Sequence, residues 1–159
     1  PKTLDANVFK LIGEQWMLVT AGKQDQFNMM TASWGGLGFL WNRPVAFVFI
    51  RPQRYTFEFI ERNEGFTLSF YGEEYRKVLC GTRSGRDIDK VAETKLTPMT
   101  MPSGNMAFEE ASLVLDCRKF YMDMLEKTNF VDFATAERWY PKQDFHKMYI
   151  AEIIGAWKR

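Results

Sequence analysis

The 159-residue chain has one histidine, His146, and two cysteines, Cys80 and Cys117. A Cys₂His₂, Cys₄, His₃ or His₂-carboxylate metal centre therefore cannot be assembled. No Gly-x-Ser-x-Gly elbow accompanies the histidine, so an α/β-hydrolase triad has no support. Two cysteines 37 positions apart make no disulfide framework and are read as reduced thiols in a cytoplasmic protein. No apolar run approaches the ~18 residues that span a bilayer. The opening PKTLDANVFK lacks the basic-then-apolar pattern of a secretion signal. Net charge is only +1, from 21 Lys and Arg against 20 Asp and Glu. Bulk charge thus argues against a polybasic binder of nucleic acid or membrane. Repeats, low-complexity tracts and linkers are absent, which leaves one domain over residues 1–159.

Aromatic residues are abundant: 14 Phe, 6 Tyr and 5 Trp, beside 9 Met. Such a chain has flat, polarisable surface for a core, an interface or a planar ligand. Trp139, Tyr140 and Trp157 are read as core or interface residues. Strand-like patterning marks Trp16–Thr20, Phe27–Ser33, Val45–Ile50, Phe66–Tyr71, Leu113–Met122 and Met148–Ile154. Short helices are expected at Thr56–Arg62, Glu73–Leu79, Asp87–Ala92 and Thr135–Trp139. Many short strands with few helices predict an all-β barrel or sandwich with small helical insertions. A Rossmann domain does not fit, because Gly35-Gly36-Leu37-Gly38 misses the G-x-G-x-x-G spacing.

Three stretches carry the chemistry. In Arg51-Pro52-Gln53-Arg54-Tyr55-Thr56, two guanidiniums and two hydroxyls open a helix whose expected N-cap is Thr56. Fixed donors, positive charge and a helix N-terminus suit a phosphate dianion. The competing reading has both arginines paired to Glu58 and Glu61. In Cys80-Gly81-Thr82-Arg83-Ser84-Gly85-Arg86-Asp87-Ile88-Asp89-Lys90, the glycines allow close backbone approach and Asp87 looks like a helix cap. In Phe27 to Gly36, alternation sets Asn28, Met30, Ala32 and Trp34 on one face, and Met29, Thr31 and Ser33 on the other. Gly35 and Gly36 then read as a strand break exposing backbone donors, suited to the edge of a heteroaromatic ring, or as an ordinary bulge.

Taken in order, NMMTASWGG, VFIRPQRYT and CGTRSGRDIDK resemble the flavin reductase-like family of FMN-binding split barrels, and within it the flavoredoxin type. The likeness extends to the closing HKMYIAEI. It implies a six-stranded antiparallel Greek-key split β-barrel, a homodimer, and non-covalent FMN. Carried over by position, Asn28, Met30, Thr31, Ala32, Ser33 and Trp34 would line the isoalloxazine. Arg51, Arg54, Tyr55 and Thr56 would serve the phosphate, and Cys80, Gly81, Ser84, Gly85 and Lys90 would close over the ribityl-phosphate. NAD(P)H as co-substrate and a redox protein partner are further implications. Two departures bear on the ring side: Asn42-Arg43-Pro44 stands where many relatives have Pro-Pro, and Ala151 where many have Gly. His146 would either approach the ring or a nicotinamide, or sit at a surface or interface. The chain is expected to be an FMN-dependent oxidoreductase with no acid–base dyad of its own, or alternatively a flavin carrier with little nicotinamide activity, or a cofactor-free barrel.

Overall fold

The computed structural model describes residues 1–76, 85, 86 and 89–159. Helix α1 (Val8–Gly13) precedes strands β1 (Met17–Lys23), β2 (Gln26–Ala32), β3 (Gly35–Leu40) and β4 (Arg43–Ile50). Helix α2 (Tyr55–Arg62) and β5 (Gly65–Phe70) follow, then α3 (Lys90–Thr94), β6 (Pro98–Thr100), β7 (Met106–Phe108) and β8 (Leu113–Met124). Helix α4 (Phe133–Trp139) leads into β9 (Lys147–Lys158).

Seven strands form one antiparallel sheet in the order β2-β1-β5-β8-β9-β4-β3, while β6 and β7 form a separate ribbon. The two edge strands of the large sheet, β2 and β3, are consecutive in the chain and joined only by Ser33 and Trp34. Three Cα steps reach at most ~11 Å. The opposite edges must therefore come close there, and the sheet rolls into a barrel whose β2 and β3 edges are not paired with each other. Bulges at Asp116/Cys117 and Lys119/Tyr121 in the β8–β9 pairing help these 12-residue strands bend.

The all-β class with short helical insertions holds, with one correction: the main sheet has seven strands, not six. Gly35 and Gly36 read as a strand break or bulge, and no strand is expected immediately beyond them, yet Gly35–Leu40 pairs with β4 along its whole length. Tertiary pairing overrides the weak strand propensity of glycine. Gly35 is required there, since a Cβ would lie 2.5 Å from the Phe47 carbonyl oxygen. The hairpin turns on Trp41 (φ 48°) and Asn42 (φ 59°), a two-residue loop with both residues left-handed, which matches the twist of the strands.

The barrel interior is filled by Met17, Val19, Val48, Ile50, Phe66, Leu68, Leu115 and Tyr149, together with Leu11 and Ile12 of α1 and Phe59 and Ile60 of α2. Helix α2 is held against the barrel at its far end by polar bonds. Tyr149 donates to Glu61 Oε1 at 2.7 Å, and Lys119 Nζ donates to the Ile60 carbonyl at 2.6 Å. A second apolar cluster, Leu18, Met29, Tyr71, Phe108 and Val114, lies on the other side of the sheet beneath the β6–β7 ribbon. Among the described residues no helix is long and apolar enough to cross a membrane.

Candidate functional site

A cleft of about 630 Å³ opens between β2, the end of β4 and the start of α2. Its walls contain Asn28, Met30, Thr31, Ala32, Ser33, Trp34, Arg51, Arg54, Tyr55, Thr56, Gly85 and Lys90, all singled out from the sequence. Cys80, Gly81 and Ser84 lie outside the described residues, as does Asp87. The described lining also includes Phe49, Gln53, Arg86 and His146, and contains no Asp or Glu.

The barrel seam explains why these residues converge. β2 is an edge strand, and a residue's N–H and C=O point to the same side of a strand, alternating along it. Lys90 Nζ donates to the Met29 carbonyl at 2.7 Å, so Met29 directs its backbone groups to the open edge. Thr31, two residues on, directs its own the same way. Met30 and Ala32 pack against the barrel interior, and Met29 against the outer cluster, as alternation requires. Asn28 is buried and donates through Nδ2 to Thr56 Oγ1 at 2.7 Å, tying the strand to the helix. A Cβ on Gly85 would overlap the Asn28 carboxamide, which leaves glycine as the residue that fits against it.

Thr56 is therefore not the N-cap. Helix α2 starts earlier: Arg54 occupies the cap position and no side chain caps the first turn. Tyr55 joins the helix by packing edge-on against Phe59, ring centroids 5.0 Å apart. In α3 the cap is Asp89, whose carboxylate accepts from the Val91 and Ala92 amides.

The cations divide into two kinds. Arg51 is engaged: it pairs with Asp144 Oδ2 at 2.5 Å and donates to the Trp139 carbonyl at 2.9 Å. Arg86 pairs with Glu58 and lies over the Tyr55 ring. Arg54 is exposed, and its guanidinium makes no hydrogen bond or ion pair with any described residue. Burial, and then Arg54 itself, hold the Lys90 ammonium below its usual range. Two cations thus repel each other along a lining whose described residues include no carboxylate, beside a helix start with no side-chain cap. An arriving anion would relieve their repulsion.

The opposite end is aromatic. Trp34 packs edge-on against Trp139 at 5.0 Å and lies 5.2 Å from the His146 ring. His146 Nδ1 is 2.7 Å from the Tyr140 hydroxyl. Burial, followed by Arg51, lowers the imidazole from 6.5 to about 4. The unfolded chain binds this proton near 6.5 and the folded chain does not, so stability declines as pH falls through that interval. Between pH 7 and pH 5 the loss attributable to His146 is about 2 kcal/mol. Urea unfolding at both pH values should show His146→Asn with a correspondingly smaller difference; equal differences in the two proteins would contradict this.

Sequence reasoning passed over Phe49, although it shares the strand face of Arg51 two positions away. It set no functional weight on Trp139, which reaches the site from more than 100 positions along the chain. The two departures from the family pattern fall elsewhere: Ala151 is in the barrel core, and neither it nor Pro44 lines the cleft.

Comparison with known proteins gives a concordant result. The family model for the flavin reductase like domain matches residues 9–158. Flavoredoxin from Methanosarcina acetivorans is 23% identical, with 99% of this chain and 74% of that one covered at a TM-score of 0.70. An FMN-binding protein from Thermus thermophilus, solved with p-hydroxybenzaldehyde, is 18% identical, with 91% and 71% covered at 0.69. An NADH:FAD oxidoreductase of Streptomyces globisporus C-1027, in complex with NAD and FAD fragments, is 13% identical, with 91% and 74% covered at 0.66. A search of curated proteins gave no match. At these identities the solved structures establish the fold, and the family model covers nearly the whole length: the chain belongs to the flavin reductase-like domain family.

Proposed function

We propose that the protein binds FMN in the cleft and acts as an oxidoreductase, taking electrons from a reduced nicotinamide or a protein donor and delivering them to an acceptor. The observation that carries this reading is the polarity of the cleft: near the middle of β2 lie a half-buried Lys90, bonded to the Met29 carbonyl, and an Arg54 with no hydrogen-bond or ion-pair partner among the described residues, while Ala32 and Trp34 lie at and just past the end of that strand. A flat ring with an acidic tail matches both ends. Arg54, Lys90 and the first turn of α2 would hold the phosphate through charge and N–H donors. The small side chains of Ala32 and Ser33 would let the ring approach the strand edge. The flavin supplies the two-electron chemistry, and the protein supplies orientation and electrostatics. Positive charge on the phosphate side and backbone N–H groups along β2 would favour a reduced ring bearing negative charge. Arg51, tied to Asp144, is assigned to the architecture of the cleft rather than to phosphate binding.

The alternative is a flavin carrier that exchanges electrons with proteins and turns over nicotinamide poorly. Anaerobic titration of the FMN-loaded protein separates the two. Rapid bleaching of the flavin absorbance by NADH or NADPH is expected for the oxidoreductase. Bleaching by dithionite alone would assign the chain to the carrier class.

A homodimer accompanies this reading. Trp41, held left-handed at its hairpin tip and 58% exposed, packs against Phe120 and Tyr121 of β8. Arg43 lies over the Phe120 ring, and Met122 extends the same strand's exposed surface. An apolar patch of this kind suits a self-complementary contact. Sedimentation analysis should give twice the 18.6 kDa chain mass. A Trp41→Lys, Phe120→Glu variant that sediments like the unmodified protein would remove the patch from the interface.

A further inference from the structure

The aromatic part of the cleft is built by a segment remote in sequence, and a set of polar contacts from the bend after β4 fastens it. Arg51, one residue past β4, grips Asp144 Oδ2 and the Trp139 carbonyl, with its guanidinium 5.3 Å from the centre of the Tyr140 ring. Gln53 adds a second donor to Asp144 Oδ2, at 2.8 Å. The turn carrying Tyr140, Asp144 and His146 is thereby clamped to the bend that also carries Arg54. Tyr140 then reaches the His146 ring through its hydroxyl.

We propose that Tyr140 and the Arg51–Asp144 pair are positioning residues that hold His146 in the form protonated at Nε2, so that this N–H serves the cleft as a hydrogen-bond donor to an oxygen on the bound ring system. The direction follows from the phenol. The His146 backbone amide also acts on the Tyr140 oxygen from the donor side. Burial makes the Tyr140 hydroxyl retain its proton. With a donor already on the phenol oxygen, we assign this proton to Nδ1, 2.7 Å away, which leaves Nδ1 bare and the ring proton on Nε2. The imidazole stays uncharged because burial, Arg51 and Arg54 all disfavour its proton, with Asp144 alone opposing them. Trp34 and Trp139 flank this end of the site. An uncharged donor of this kind discriminates by geometry, in contrast to the cationic end.

The inference concerns the site proposed above to hold flavin, but its test does not need flavin. Because His146 is the only histidine, protein labelled with ¹⁵N-histidine gives one imidazole pattern in a long-range ¹H–¹⁵N correlation at pH 7. The expected pattern has a protonated Nε2 and a bare Nδ1. In Tyr140→Phe the two nitrogen shifts should move toward one another as both tautomers become populated. Arg51→Ala should do the same, and Arg51→Lys, which can still reach Asp144, should recover part of the separation. A protonated Nδ1 in the unmodified protein, or an unchanged pattern in folded Tyr140→Phe, would overturn the proposal. If Tyr140→Phe does not fold, the unmodified tautomer and the Arg51→Ala and Arg51→Lys pair decide the matter. FMN affinity in the same unmodified sample reports separately on the flavin reading: its absence would remove that reading and leave the imidazole result standing.

Discussion

Arg54→Ala should lower FMN affinity about ten- to a hundredfold and leave riboflavin affinity nearly unchanged. The guanidinium lines the cleft and has no hydrogen-bond or ion-pair partner among the described residues, so its removal breaks none of their polar contacts and leaves no buried charge behind. A charge-assisted hydrogen bond contributes about 1.5–3 kcal/mol, and about 1.4 kcal/mol corresponds to a tenfold change. Lys90→Met acts on the same phosphate but also removes the bond to the Met29 carbonyl. It should therefore weaken both ligands, FMN more than riboflavin. Fluorescence titration with each flavin provides the comparison. Equal losses for the two ligands in Arg54→Ala would place the arginine away from the phosphate.

Gly35→Ala should destabilise the protein by about 1–3 kcal/mol and weaken flavin binding at the same time. The new Cβ would meet the Phe47 carbonyl oxygen at 2.5 Å and Met17 Cε at 3.1 Å. The carbonyl belongs to the β4 backbone and cannot rotate away, so β3 must shift. Gly35 follows immediately after Ser33 and Trp34, the two residues that connect β2 to β3. A shift there moves the wall of the cleft. Gly36→Ala is the control, because the nearest atom to its added Cβ is a Phe47 ring carbon at 3.7 Å, an ordinary contact. Urea midpoints and FMN titrations of both variants test the pair. Comparable behaviour of the two would show that the seam tolerates movement.

Those two positions illustrate how far the sequence was legible. Richness in Val, Ile, Phe and Tyr, with period-two alternation in several segments, located β1, β2, β4, β5, β8 and β9; β1 and β5 are buried along both faces, so there burial follows the apolar content rather than the alternation. It could not locate β3, whose glycines carry no pattern and whose pairing with β4 is a tertiary fact. Helix α1, with buried Leu11 and Ile12 in only six residues, was likewise missed; its stability comes from covering the barrel end rather than from its own periodicity. The cleft was legible where chemistry is local. Arg54, Tyr55 and Thr56 are adjacent; glycine at 85 reads as close approach of backbone to a ligand, and the fold also sets it against the Asn28 side chain, which the sequence does not show. The fate of each cation was not legible. Sequence proximity suggested Glu58 and Glu61 as partners for Arg51 and Arg54. In the fold Glu58 serves Arg62 and Arg86, Glu61 serves Lys147 and Tyr149, and Arg51 finds Asp144 more than 90 positions away. Thr56, by its residue type, looked like a cap, but the helix starts at Tyr55 and the Thr56 hydroxyl accepts from Asn28 instead.

On the proposed reading, one cleft holds a single planar coenzyme by its ring and by its phosphate. Equilibrium titration of the purified, flavin-stripped protein with FMN tests it most directly, followed by visible absorbance and repeated with riboflavin. Saturation at one FMN per chain is expected, with a perturbed flavin band and weaker binding of riboflavin. An unperturbed spectrum and no saturation with FMN would contradict the account.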